Sequence, residues 1–185
     1  TCGLNLFFTP ANSIERKWAV NTSYKINGPV YIRYSKMQAD SSFSKGVKIK
    51  TGEPYPILKG GDGLLIVSGG LLGTAHEVVT ELKKKNIHLS LYSMPTIKPM
   101  NKKKMVELLR KSKLVFSLEE HSVIGGLGSA ISEIVADEGI SIKVVRLGIE
   151  DIFTGVTGSI SYLLDRNGLS KNKLIGRISQ ILRKI

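Results

Sequence analysis

Two short stretches of this chain carry residue types that could do chemistry. In Gly60-Gly61-Asp62-Gly63 one acid stands among glycines at the head of the apolar run Leu64-Leu65-Ile66-Val67, which Gly69-Gly70 closes. Glycine lets a backbone approach closely and a carboxylate is a hard oxygen ligand, so such a turn can hold a diphosphate and its Mg²⁺. The same residues are an ordinary way into a strand through a tight turn, and taken alone they leave both readings open. The second stretch is "LEEHSVIGGLGSA", residues 118–130. Glu119, Glu120 and His121 could do acid–base work, or hold an interface, or cap the turn that follows. Gly125, Gly126 and Gly128 let a helix begin close against a sheet, and they expose its first N–H groups and positive dipole end to an anion. Packing is the first reading of that turn and anion binding the second, because the spacing is not that of the dinucleotide G-x-G-x-x-G. His76 has no second histidine at helical spacing and reads as a surface or capping residue rather than a metal ligand.

The elements that must position these residues alternate along the chain. Residues 4–8 form a short apolar run stopped by Pro10, and Ile14, Trp18 and the stretch Val20 to Tyr24 recur at near-helical spacing. Gly28-Pro29 then opens a strand with Val30, Ile32 and Tyr34 on one face and Tyr31, Arg33 and Ser35 on the other. Residues 37–56 lose periodicity and gather Ser, Gly, Lys and Pro, which suits an exposed connection between two units. After them the expected order is strand 64–68, helix 71–85, strand 87–92, helix 101–111, strand 114–118, helix 126–137, strand 141–147, then helices at 158–166 and 171–184. Leu71, Ala75, Val78 and Leu82 mark the buried stripe of the first of these helices. Such alternation predicts an α/β fold of three layers, a mostly parallel sheet covered by helices on both faces.

Composition bounds the function. The chain has 185 residues, 42% hydrophobic and 23% charged, which is ordinary for a globular protein. No run nears the roughly 18 apolar residues of a membrane span, and there is no basic leader, so a soluble, cytoplasmic protein is expected. The single cysteine, Cys2, leaves no internal disulfide or multi-cysteine metal site, which fits a reducing compartment. The net charge of +12 invites a nucleic-acid reading. The basic residues, however, are mostly lysines in scattered groups such as 83–85 and 102–104, not arginines and aromatics gathered on one surface. Solvated lysine faces are the expectation, with neither nucleic acid nor membrane as partner.

Six segments together resemble the transketolase-like thiamine-diphosphate enzymes near their C-terminus. They are "TPANSIERKWAV", "GPVYIRYSK", "TIKPMNKKKMVELL", "LEEHSVIGGLGSAISEIVAD", "RLGIEDIFTGVTGS" and "YLLDRNGLS", in the family's order and over nearly the whole chain. The resemblance implies a remnant of a pyrimidine-binding α/β domain at 1–36, a linker at 37–56 and a transketolase C-terminal domain at 57–185. It implies that thiamine diphosphate and Mg²⁺ serve the complete enzyme but are not bound by this chain alone. The catalytic glutamate and the aromatic that packs the pyrimidine ring lie upstream of anything matched here. No catalytic, cofactor-binding or metal-binding residue is therefore expected in this chain. The implied partner is a thiamine-diphosphate-binding domain or large subunit, in a homodimer or heterotetramer acting on sugar phosphates.

For the residues themselves the resemblance implies structural roles for Glu119, Glu120, His121, Gly125, Gly126 and Gly128, at a turn and an interface. It places a substrate phosphate on Lys36, where the family usually has arginine, or on Arg33. Lysine lacks the fork that binds a phosphate through two parallel bonds, so a structural ion pair or solvated strand end is the competing reading. Gly60-Gly61-Asp62-Gly63 becomes a turn, because it falls in the C-terminal segment and only Asn86 is in reach to assist a metal-diphosphate. The expected activity is transfer of a two-carbon ketol unit between sugar phosphates, the chain being inactive alone. Two alternatives share the layout: 1-deoxyxylulose-5-phosphate synthase, whose Pro-Arg-Gly strand ending is here Ser35-Lys36-Met37, and a noncatalytic assembly module.

Overall fold

A computed structural model describes residues 3–153 and 155–184; Cys2 lies outside the described residues. The strands are β1 (Leu6–Phe8), β2 (Val30–Ile32), β3 (Tyr55–Leu58), β4 (Gly63–Ser68), β5 (Leu89–Ser93), β6 (Thr96–Lys98), β7 (Leu114–Ser122) and β8 (Lys143–Ile149). The helices are α1 (Ser13–Ser23), α2 (Leu72–Lys83), α3 (Lys102–Leu109), α4 (Leu127–Asp137), α5 (Ile160–Arg166) and α6 (Lys171–Leu182).

The main sheet has the order β3-β5-β4-β7-β8, parallel except for the edge strand β3. Its centre, β4, is buried at every position, and successive side chains of a strand face opposite ways. Leu65 and Val67 join the core under α2 and α6, with Val78, Leu82, Leu174 and Ile178. Leu64 and Ile66 join the other core, under α3 and α4, with Met105, Leu109, Ile131 and Ile134. The three-layer expectation is therefore met, including the stripe Leu71, Ala75, Val78 and Leu82, all buried.

A second, three-stranded sheet, β2-β1-β6, packs Leu6, Phe8 and Ala19 with Trp18. Its third strand comes from beyond β5: β6 pairs antiparallel with β1, a link that three residues carry no periodic signal to announce. The stretch 37–56, expected as an exposed connection, buries Ala39, Ser44 and Tyr55. Its end, from Tyr55, is already strand β3, and the Ala39 N–H donates to the Ala11 carbonyl at 2.9 Å.

Helix α1 also departs from the expected face. Its buried members are Glu15 and Ala19, while Tyr24 is exposed. Asn12 caps the helix by accepting from the Glu15 N–H at 3.0 Å. The Glu15 carboxylate accepts from Ala11 N at 2.5 Å, Ser93 Oγ at 2.7 Å and the Tyr55 hydroxyl. Ser44 Oγ bonds Tyr55 at 2.6 Å and receives Asn12 Nδ2 at 2.7 Å. Burial raises the Glu15 carboxyl above its ordinary 4.5, against the pull of the Tyr55, Ala11 and Ser93 hydrogen bonds. A polar knot thus joins α1, Ser44, β3 and β5, and it draws part of the stretch 37–56, expected as an exposed connection, into the fold.

Candidate functional site

The chain leaves β4 through α2 to β5 on one side and later returns to β7 on the other. Such a reversal of strand order opens a crevice at the carboxyl ends of the two central strands, the usual ligand position in an open α/β sheet. Here Ser68 of β4 stands in register with Glu119 of β7, and the start of α4 faces them. Strand β7 runs on through Ser122, because Ser122 still pairs with Ile149 of β8. Glu119, Glu120 and His121, expected just beyond the strand, therefore belong to it and are sorted by its pleat and by what covers each face.

Glu119 is buried, 3% exposed. Its two oxygens accept from the N–H groups of Leu127 and Gly128, at 2.8 and 2.9 Å. Both functions weighed for the glycine turn are thus realised at once: the helix packs closely, and the anion at its positive end is the protein's own carboxylate. A Cβ on Gly126 would stand 1.8 Å from Glu119 Oε2, and one on Gly128 2.5 Å from Ser117 Oγ. Gly125 is needed for another reason, its φ of +73°. Burial raises the Glu119 carboxyl, opposed by the Gly128 and Leu127 N–H groups and by the charges of His121 and Arg146.

Glu120 faces the small sheet. Its carboxylate accepts from Ser35 Oγ at 2.6 Å and its carbonyl from Arg33 Nη2 at 2.7 Å. His121 is exposed, its Nδ1 3.1 Å from the Ser122 carbonyl. The expected alternation after β2 ends at Ile32: Ser35 is buried and Tyr34 exposed. The two residues expected to share a phosphate role differ in setting, since Arg33 is half-buried with Nη2 donating to β7 while Lys36 is exposed. Sequence reasoning missed Ser35, Ser68 and Thr9 here. It also missed Glu15, although Asn12-Ser13-Ile14-Glu15 has the spacing of a helix capping box.

Between Phe7, Thr9, Arg33, Ser68, Glu119 and Gly126 the crevice retains a cavity of about 30 Å³. Ligand pockets run to roughly 300–1,000 Å³, so with Phe7, Thr9, Arg33 and the Glu119 carboxylate in it the crevice has no room for a ligand. At the opposite end of β4, Asp62 Oδ2 accepts from the His88 N–H at 2.6 Å. The Asp62 N–H donates to the His88 carbonyl at 2.9 Å and the Gly60 N–H to Ser90 Oγ at 2.9 Å. A Cβ on Gly60 would lie 2.3 Å from that carbonyl. One carboxylate oxygen and the N–H groups of Asp62 and Gly60 are thus spent on joining the turn to the start of β5, as a strand entry requires. Among the described residues no group of three metal-ligating side chains is assembled.

Residues 55–174 match the family described as Transketolase, C-terminal domain. The chain belongs to that family. Over 178 residues it is 30% identical to a Methanocaldococcus jannaschii protein named, provisionally, a transketolase C-terminal section, covering 95% of this chain and 55% of that protein. It is 32% identical over 182 residues to 1-deoxy-D-xylulose-5-phosphate synthase of Carboxydothermus hydrogenoformans, covering 95% of this chain and 28% of that enzyme. The structure described as a split gene transketolase, inactive beta4 tetramer, superposes with a TM-score of 0.82 at 30% identity, covering 96% of this chain and 57% of that one. The transketolase relatives are thus about twice as long as the segment matched here, and the synthase is longer still. Family membership puts the chain in the context of a transferase. Among the described residues no helix is long and apolar enough to cross a membrane.

Proposed function

We propose that this chain is the C-terminal part of a transketolase, transferring a two-carbon ketol unit between sugar phosphates only when joined to the remainder of the enzyme. The observation that carries this reading is the superposition of 96% of the chain on a split gene transketolase. The crevice filled by the chain's own residues and the engaged Gly-Asp-Gly turn support a noncatalytic place for the C-terminal unit. Thiamine diphosphate and Mg²⁺ then belong to the upstream domain or large subunit, and the assembly is a homodimer or heterotetramer in the cytoplasm. The division into a remnant at 1–36, a connection at 37–56 and a C-terminal domain at 57–185 belongs to the same proposal, with the connection anchored at Ala39, Ser44 and Tyr55. Lys36, exposed beyond the last strand of the remnant, is the group this reading assigns to a substrate phosphate. Arg33, tied to Glu120, has a structural role.

Calorimetry on the isolated chain with thiamine diphosphate and Mg²⁺ should show no binding, while addition of the missing part should restore both binding and ketol transfer. Micromolar binding by the chain alone would refute the reading. The 32% identity to a 1-deoxy-D-xylulose-5-phosphate synthase favours a second reading, as a part of that enzyme. Assay of the restored enzyme with pyruvate as donor, against a ketose phosphate, separates the two. Restoration of binding without turnover of either donor would leave the assembly-module reading.

A further inference from the structure

Lys36 is flanked on both sides by residues pinned to other elements. The Ser35 hydroxyl donates to Glu120 Oε2 at 2.6 Å and accepts from the Met37 N–H at 3.0 Å. The Ser35 and Met37 carbonyls accept from Arg16 Nη2, at 3.0 and 3.4 Å. A Cβ on Gly70 would lie 2.6 Å from Ser35 Oγ and 2.9 Å from Met37 Cβ, so the turn that leaves β4 abuts this segment directly. The Arg33 N–H still donates to Phe8 at 2.9 Å. Past that bond, side chains rather than strand pairing set the backbone's course.

We propose that Glu120 is a positioning residue for the phosphate of the substrate, acting through Ser35 on the backbone that carries Lys36. The inference rests on the reading of Lys36 given above. An ammonium group is a point charge on a flexible stem and has no planar fork to fix its geometry. Accuracy at a lysine must therefore come from the backbone beneath it. A hydroxyl bonded to a carboxylate is a strong, short link, and Glu120 stands on an inner strand of the main sheet, whose next residue back, Glu119, is locked into α4. One strand end thus secures the helix with one acid and the phosphate segment with the next. This gives the C-terminal unit a part in substrate recognition, although it contributes no group to the reacting atoms.

The test uses the enzyme assembled from this chain and its cofactor-carrying part, with one aldose acceptor offered with and without its phosphate. Glu120→Ala and Ser35→Ala should each raise KM for the phosphorylated acceptor about five- to tenfold, the size expected when part of a charge-assisted bond is lost. Neither should change kcat, or KM for the unphosphorylated acceptor, by more than about twofold. The double variant should be no worse than the more damaging single one, because both break the same link. Glu120→Gln keeps an acceptor oxygen for Ser35 and should restore most of the affinity. If Lys36→Ala leaves KM for the phosphorylated acceptor unchanged, the phosphate reading fails and the positioning role with it. If Lys36→Ala raises that KM while Ser35→Ala and Glu120→Ala do not, or if they raise KM for both acceptors alike, the positioning role alone is overturned. Should Glu120→Ala fail to fold, Ser35→Ala and Glu120→Gln decide the matter.

Discussion

Gly126→Ala isolates the contact on which the α4 turn depends. Gly126 precedes the helix with φ −101° and ψ −152°, extended backbone that alanine can adopt, so any large effect must come from lack of space. The added Cβ would stand 1.8 Å from Glu119 Oε2 and 2.7 Å from its carboxyl carbon. The carboxylate must move, and its bonds to Leu127 and Gly128 break. Each is a bond to a charged acceptor, worth about 1.5–3 kcal/mol, and the helix loses the charge at its positive end. A loss of about 3–5 kcal/mol follows, close to that of Glu119→Ala, which removes the same acceptor. In the Glu119→Ala background, Gly126→Ala should cost less than about 1 kcal/mol, since nothing remains to displace. Gly125→Ala is the control: a Cβ there meets nothing within 4 Å at φ +73°, leaving a backbone penalty of about 1–2 kcal/mol. Urea unfolding at neutral pH, followed by circular dichroism, measures all four variants. Additive costs for Gly126→Ala and Glu119→Ala, or a Gly125→Ala as damaging as Gly126→Ala, would refute the reasoning.

Glu15 makes a pH-dependent contribution of definite sign. Its folded carboxyl is raised above the ordinary 4.5, first by burial. Its stabilising effect is therefore full below about pH 4.5 and lost as pH rises through the raised folded value. Glu15→Gln does not titrate, so the wild-type advantage over it, in unfolding midpoints at pH 5 and pH 8, should shrink toward the alkaline end; a gap that widens contradicts this. Asp62→Ala should cost only about 1 kcal/mol, one hydrogen bond, and leave cofactor affinity of the assembled enzyme unchanged; a large rise in the cofactor's Kd would return the turn to the cofactor site.

The main sheet was largely legible from the chain itself because its strands are long enough to repeat a pattern. The stripe Leu71, Ala75, Val78 and Leu82 and the apolar run of β4 point to one burial scheme, and the structure follows it. What escaped notice is short or polar. Strands β3 and β6 have four and three residues, too few for any periodicity, yet β6 is the strand that ties the two sheets together. The face of α1 is not legible from the spacing of Ile14 and Trp18, because no apolar pattern places a glutamate inside, and Glu15 is buried there.

The residue types of "EEHSVIGGLGSA" pointed to a helix start packed close on a sheet, with an anion at its first N–H groups as the second reading. They could not determine whose anion it was. That depended on register: β7 continues through Ser122, so Glu119 turns to α4 and Glu120 to Ser35, residues 8 and 85 positions away. The turn at Asp62 was expected as a strand entry from residue type and place in the chain, but only the fold brings His88 beside it as the partner of its carboxylate. Local order sets which groups are available and how the backbone bends near them. Which of them meet across the chain is decided only when the sheets close and each buried polar atom must find its partner.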